Sequence, residues 1–308
     1  MTAAAVGAVA VGVALDAAIA EPPAGCHPVA WFGRAVGVVD RPWTRPLAVG
    51  ALAAIALPLA AAATVWAAVT VATWGSALAG AVVAGLVVFV TTSRRMLLAE
   101  ASGVIAATRT ENSLDAARRR LRALAGRDPD ALSAGELRSA AVESTAENLA
   151  DGLVAPLAAF AVGAAVVSLP VGAAAAAWVK AVNTLDSMLG YRSKRVGTAS
   201  ARLDDAVMWV PARLAAVLIA ATARAPAAVS RAAADAGAPP SPNSGWPMAT
   251  LAAVLDCRLV KPGVYELREA AALPGLAESR RGVRVVSTAG GLAYALTAAV
   301  VYAGGGGL

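Results

Sequence analysis

The run Glu143-Ser144-Thr145-Ala146-Glu147-Asn148-Leu149-Ala150-Asp151 repeats a carboxylate every four residues. On a continuing helix, Glu143, Glu147 and Asp151 project from one face. Like charges so placed repel one another, and the cost rises beside an apolar segment, where charge loses its water. A Mg²⁺ ion held by carboxylate and amide oxygens would relieve the repulsion and draw phosphate oxygens in. A solvated acidic helix end, neutralised by nearby arginines, satisfies the same spacing.

A second group spans Lys180 to Tyr191. Lys180, Asn183 and Asp186 fall one helical turn apart and share one side of a helix at the edge of an apolar stretch. Arg202, Asp204 and Asp205 follow, just before the next apolar run. An adjacent Asp pair at a bilayer boundary is expensive unless it meets a metal or a basic partner. An interfacial ion pair from Arg202 or Arg213 is the simpler way to meet that need. Ser241-Pro242-Asn243-Ser244-Gly245 is a third group, whose small turn residues let backbone N–H groups approach an anion. Without further context a plain structural turn is the better reading of it. Lys261-Pro262-Gly263 is a similar turn with a possible phosphate-binding lysine. His27, the single histidine, sits among prolines and suits a backbone-bonded turn better than a general base. One histidine excludes His-based metal centres, and Cys26 and Cys257 have no metal spacing, so both read as free thiols.

These residues need elements to hold them, and composition says which. The 308 residues are 58% hydrophobic and only 15% charged, with a mean hydropathy of +0.65. Soluble domains carry about 25% charge, so the deficit points to a surface facing lipid. The net charge of +6 is mostly arginine. It suits lipid headgroups or phosphorylated substrates; with few aromatics and no nucleic-acid motif, nucleic acid is not an expected partner. No charge occurs over 46–93, enough for two crossings of ~20 residues each, with a turn near Thr73–Ser76. Further apolar runs cover 152–179, 206–223 and 285–302. With an uncleaved N-terminal helix, which lacks the basic flank of a signal peptide, five or six membrane segments are expected. Arg34, Arg41 and Arg45 precede the two-helix hairpin; Arg94, Arg95, Arg109 and Arg118–Arg120 follow it, which places that side in the cytoplasm. Pro170 and Gly172 could break 152–179 into two arms that enter the membrane and return.

Between 99 and 151 the chain turns polar and helical. Ser113 can cap a helix with Leu114, Ala117, Leu121 and Leu124 on one face and arginines on the other. Ser133-x-x-Glu136 is a capping box for the next helix. Residues 225–245 read as a loop. The expected architecture is an all-α, polytopic membrane bundle forming one domain over 1–308. A polar, amphipathic helical insertion occupies 94–151 and a polar loop 225–282.

Taken in order, these segments resemble the CobD/CbiB family of cobalamin-biosynthesis proteins. The likeness is carried by Asp16, His27-Pro28, Gly126-Arg127-Asp128, Glu143…Glu147-Asn148…Asp151-Gly152, Lys180…Asn183-Thr184-Leu185-Asp186, Ala201-Arg202-Leu203-Asp204-Asp205, Ser241–Pro247 and Lys261-Pro262-Gly263. One departure is Ala20-Glu21-Pro22, where the family usually shows Gly-Asp-Pro. The resemblance implies adenosylcobinamide-phosphate synthase activity, in which adenosylcobyric acid is joined to (R)-1-amino-2-propanol O-phosphate with ATP consumed. A carboxylate is a poor acyl donor, so ATP would phosphorylate it and the amine would displace phosphate. Glu147, Asn148 and Asp151, with Asp186 or the Asp204-Asp205 pair, are then expected to hold Mg²⁺, with Glu147, Asp151, Asp186 and Asp204 as the metal carboxylates. Lys180, Arg202 and Lys261 would neutralise phosphate charge. Asn183 and Asp205 join the catalytic set, and His27, Arg127, Ser241, Asn243 and Gly245 the substrate-binding set. Expected partners are the corrinoid, aminopropanol phosphate, ATP and membrane lipid, with a homo-oligomer or other pathway membrane proteins possible. Two other classes compete: a Mg²⁺-dependent transferase acting on diphosphates, and a membrane transporter. The CDP-alcohol pattern fails after Asp151-Gly152, and most charges cluster at segment ends rather than inside segments.

Overall fold

Charge-free runs become helices because a backbone in lipid must satisfy its hydrogen bonds within itself. The computed structural model describes residues 2–109, 114–125, 128–191 and 193–304. In chain order the helices are α1 (Thr2–Ile19), α2 (Pro28–Gly37), α3 (Pro46–Gly75), α4 (Ala77–Thr91), α5 (Arg95–Ala107), α6 (Asp115–Leu124), α7 (Ala134–Leu149), α8 (Ala155–Val166) and α9 (Leu169–Leu189). They continue with α10 (Thr198–Val207), α11 (Trp209–Thr222), α12 (Ala227–Ala232), α13 (Gly245–Leu255) and α14 (Leu276–Gly304). A π-helical turn (Ala150–Val154) joins α7 to α8, and a 3₁₀ turn (Arg195–Gly197) leads into α10. β1 (Leu259–Lys261) and β2 (Tyr265–Leu267) form an antiparallel hairpin in which Lys261 faces Tyr265.

Among the described residues, five helical stretches are long and apolar enough to cross a bilayer: Thr2–Ile19, Pro46–Gly75, Ala77–Ala107, Ala134–Val166 and Leu276–Gly304. A sixth exists if α10 and α11 count as one broken span. The expected five or six segments are therefore present, in an all-α architecture apart from the small hairpin. The turn between α3 and α4 falls at Ser76, whose hydroxyl caps α4 at the Ala79 N–H.

The chain divides into two compact units. Unit 1 comprises Met1–Ser93, Asp151–Met208 and Ala293–Leu308. Here α1 packs on α4, and α3 on α4, α9 and α10. Val36, Ala54, Leu185, Leu189 and Val196 form one apolar cluster; Ala155, Val179 and Met208 form another. The run 152–179 does not continue as one rod. It reverses at Val167 and Ser168, and α8 lies against α9. A Cβ on Gly163 would come within 2.8 Å of the Gly172 Cα, so only glycine allows this backbone approach. Past α9, Lys194 Nζ bridges to Asp40 Oδ2 at 2.7 Å. That contact puts the basic loop after α9 beside the basic segment before α3, on one side of the hairpin.

Unit 2 comprises Arg94–Ala150 and Trp209–Leu292. Val104 and Ile105 of α5, Ala117 and Leu121 of α6, and Leu137, Ala140 and Ala141 of α7 share a core. The apolar face expected for α6 is the one that packs, with Leu114 and Leu124 partly buried beside it. Its arginines point outward, and three are ion-paired: Arg118 with Asp115, Arg120 with Glu100, Arg122 with Asp130. Pairs this exposed contribute little stability, so the face behaves as a solvated surface. The Ser133–Glu136 capping box opens α7 as expected; Ser113 lies outside the described residues. The expected loops at 225–245 and 225–282 are more structured than predicted. Ala228 and Ala232 are buried on α12, which packs on α13, and α13 is almost wholly buried. Alanine-rich polar stretches hide this because their few methyl groups fill a core only once α11, α12 and α13 meet.

Candidate functional site

In unit 1 the loop between α1 and α2 brings Glu21 and His27 to α9. Ser93 joins three pieces of chain: its hydroxyl donates to Glu21, and its N–H donates to the Gly152 carbonyl at 3.1 Å. Glu21 and Asp151 both lie close enough to Lys180 to act on its charge. His27 in turn feels Glu21 and Lys180. Glu21, His27 and Asp151 thus meet around Lys180. The sequence marked Glu21 only as a departure and gave no sign of Ser93. The departure now has a physical reading, because Ala20 holds φ of 70°. That left-handed region suits glycine and strains alanine by roughly 1 kcal/mol.

Two turns along α9 from Lys180, about 9 Å by helical rise, Asp186 lies against Gly190. A Cβ on Gly190 would sit 1.8 Å from Asp186 Oδ1, so a side chain there would displace the carboxylate. That oxygen is buried and has no hydrogen-bond partner among the described residues. Asp205 of α10 is its charged neighbour. Asp186 lies outside the five spans, and burial first, then the Asp205 charge, pushes its carboxyl up to about 6. Asp204 beside it is buried, Asn183 is half-buried on α9, and Arg202 is exposed on α10.

The acidic stripe does not act as one group: Glu143 and Glu147 belong to unit 2 and Asp151 to unit 1. Glu143 is fully buried and accepts hydrogen bonds from the Ser139 and Tyr265 hydroxyls, each at 2.7 Å. Ser139 in turn accepts the Val260 N–H at 2.7 Å. Glu143 is therefore an anchor for the hairpin that ends in Lys261, not part of an open acidic face. Glu147 is half-buried, and Asp151 stands in the π-helical turn. Asn148 donates its amide to the Ser144 carbonyl at 2.9 Å, which leaves its oxygen as the accepting end. Asn243, expected to bind substrate, is buried and accepts from Arg213 Nη1 at 2.7 Å. Arg213 also lies over the Trp209 and Trp246 rings. Ser241 caps that turn at the Asn243 N–H, and Gly245 is buried at the start of α13. This turn has a structural role that the sequence left open. Arg127 lies outside the described residues. Both cysteines are free; Cys26 is exposed, while burial pushes the Cys257 thiol up to about 12.

Among the described residues, no group of three or more His, Cys, Asp or Glu side chains is arranged to hold a metal ion. The demand of nucleotide-borne Mg²⁺ is smaller: one or two carboxylates plus phosphate oxygens. Asp186 and Asp205, with one oxygen unsatisfied, fit that demand.

His27 is the N-cap of α2, its Nδ1 accepting the Val29 N–H at 3.2 Å. Burial lowers its pKa from 6.5, opposed by Glu21 and helped by Lys180. With the folded value below the unfolded one, the unfolded chain binds more protons in between. The cap's contribution is complete above the unfolded value and is lost as pH falls through the folded one. Thermal unfolding at about pH 7.5 and 5.5 should show a loss of up to ~1 kcal/mol at the lower pH. The variant His27→Asn, which caps without titrating, should lack that slope; equal slopes in both proteins would remove the titrating cap.

The CobD/CbiB protein family matches residues 9–293. A Methanothrix thermoacetophila protein named probable cobalamin biosynthesis protein CobD is 33% identical over 296 residues, spanning 92% of this chain and 93% of its own. The cobalamin biosynthesis protein CobD of Rhodobacter capsulatus is 37% identical over 261 residues, spanning 79% and 77%. Its namesake in Pelobacter propionicus is 36% identical over 269 residues, spanning 83% and 80%. No solved structure matches significantly. A match that runs through both units, from the first helix to the last, shows that the chain belongs to the CobD/CbiB family of cobalamin-biosynthesis proteins.

Proposed function

We propose that the chain forms an amide bond between the free propionate of adenosylcobyric acid and the amine of (R)-1-amino-2-propanol O-phosphate, with ATP as co-substrate. The observation that carries this reading is the Asp186 carboxylate, half-buried with an unsatisfied oxygen and a second carboxylate beside it. Such a pair is costly in an empty protein and useful to one that binds a metal-nucleotide complex. ATP transfers its γ-phosphoryl group to the propionate, giving an acyl phosphate and ADP. The amine then attacks the acyl carbon, phosphate leaves, and the nitrogen loses a proton. Mg²⁺, when bound, screens the phosphate charge; Asp186 and Asp205, with Asp204 adjoining, would hold it. Lys180, balanced by Glu21 and Asp151, would offer a cation to phosphate oxygens, with Arg202 on the exposed side of α10. Glu147, Asn148 and Lys261 are proposed as oxygen donors and phosphate-binding cation within unit 2.

Purified protein in lipid should consume ATP in step with amide formation only when both organic substrates are present. Replacing the phosphorylated amine by free aminopropanol tests which amine is used. ATP left intact with all substrates supplied would overturn the ligase reading.

We further propose that the site faces the cytoplasm. Ser193, exposed next to the Lys194–Asp40 bridge, reports on this. In a Cys26→Ser background, Ser193→Cys should resist an impermeant maleimide in intact cells and react once they are opened. Labelling of intact cells would reverse the orientation.

A further inference from the structure

Beside α9, a cavity of about 520 Å³ lies wholly within unit 1. Its walls come from α2 (Val29, Phe32), α3 (Ala61, Val65), α4 (Val87, Val90) and α9 (Ala177, Ala181). The volume falls in the range of ~300–1,000 Å³ typical of ligand sites, and the lining is mostly aliphatic or aromatic, with Thr64, Thr91 and Thr184 among it. Among the described residues, Lys180 is the one charged residue in the wall.

We propose that this cavity binds one acyl chain of a membrane phospholipid. Two observations select that occupant. First, exposed Trp31, Thr64 and Ala68 line the cavity, and two of them lie on α3. α3 is a 30-residue helix without charge whose Leu52, Ile55, Leu59 and Val71 are all exposed. A helix of that kind stands in hydrocarbon, so the opening meets acyl chains rather than water. Second, Glu21 and Asp151 already act on Lys180. Lys180 is thereby already engaged with the polar cluster, and a neutral tail covers the apolar wall without drawing on that cation. The site goes beyond the ligase reading and stands without it. It also places lipid against the middle of α9, from Ala177 to Thr184, alongside Asn183.

The test uses the full chain. After loading from mixed phosphatidylcholine and phosphatidylglycerol vesicles and transfer to mild detergent, native mass spectrometry should find one phospholipid retained per protein, of either headgroup. The variant Ala68→Phe, which fills the opening, should lower the retained fraction at least tenfold, equivalent to about 1.4 kcal/mol. No retained lipid in the wild type, or equal retention in the variant, overturns the proposal, and retention of phosphatidylglycerol alone points to a headgroup site instead. A second readout covers the case in which Ala68→Phe does not fold. Mid-chain brominated phosphatidylcholine at equimolar ratio in detergent should quench Trp31 emission, isolated as the difference from Trp31→Phe. Quenching of Trp31 no stronger than that of Trp74, isolated in the same way from Trp74→Phe, overturns it equally; Trp74 is 80% exposed and lies outside the cavity.

Discussion

Asp186→Asn should abolish most amide synthesis while leaving the protein as stable as before, or more so. In the native chain the Asp186 carboxylate is half-buried, keeps one oxygen without a hydrogen-bond partner among the described residues, and faces the like charge of Asp205. Removing its charge relieves that repulsion, and the amide keeps the shape that fits against Gly190. The same change deletes a hard anionic ligand from the proposed nucleotide site. Loss of one preorganised electrostatic contact typically costs about 10²–10³ in kcat, and a fall of that size is expected here. Activity down with stability unchanged or raised is the signature of strain kept for function. A merely structural carboxylate would lower both together. Full synthesis by Asp186→Asn protein that inserts normally would remove Asp186 from the mechanism, and Asp205→Asn, measured alongside, tests its neighbour.

Glu143→Ala should have the opposite profile, a large loss of stability in unit 2. The carboxylate is fully buried and receives hydroxyl hydrogen bonds from Ser139 and Tyr265, while Ser139 receives the Val260 N–H. Deleting it strands the buried Ser139 hydroxyl, takes the main acceptor from the part-buried Tyr265 hydroxyl, and opens a cavity between α7 and the β1–β2 hairpin. Stranded buried donors cost about 1–3 kcal/mol each, so a total of roughly 3–5 kcal/mol is expected, in line with breaking a buried charged network. Tyr265→Phe removes the donor to Glu143 Oε2 while Ser139 still donates to Oε1, and should cost less, about 1.5–3 kcal/mol. Hydrogen exchange over 259–267, together with the thermal midpoint, measures both. Unchanged protection of the hairpin in Glu143→Ala would show that something else holds it. Any loss of synthesis in this variant should follow the loss of folded protein, which separates Glu143 from Asp186.

The two residues also show where reading the chain stops. Glu143, Glu147 and Asp151 share a spacing of four, and spacing alone puts them on one face. It carries no information about what covers that face. Tyr265 lies 122 residues away from Glu143, and only its arrival turns one carboxylate into an anchor. The π-helical turn at Ala150–Val154 is equally silent in the local pattern. Asp186 could be singled out as a candidate from the sequence, since a carboxylate one turn beyond an Asn and two beyond a Lys at an apolar edge is unusual. Which residue would neighbour it across the fold was not legible.

Charge-free length, caps and turn residues follow from the order of the amino acids because lipid and backbone hydrogen bonding act locally. They supplied the all-α membrane architecture, the number of spans, the Ser76 turn and the Ser133–Glu136 cap. Family membership was also written in the motifs. The reversal of 152–179, the Lys194–Asp40 bridge, the meeting of Glu21, His27 and Lys180, and the division of the acidic stripe needed the folded chain. Each depends on contacts between residues far apart in sequence, and a contact of that kind is set by how helices pack, which no local pattern encodes.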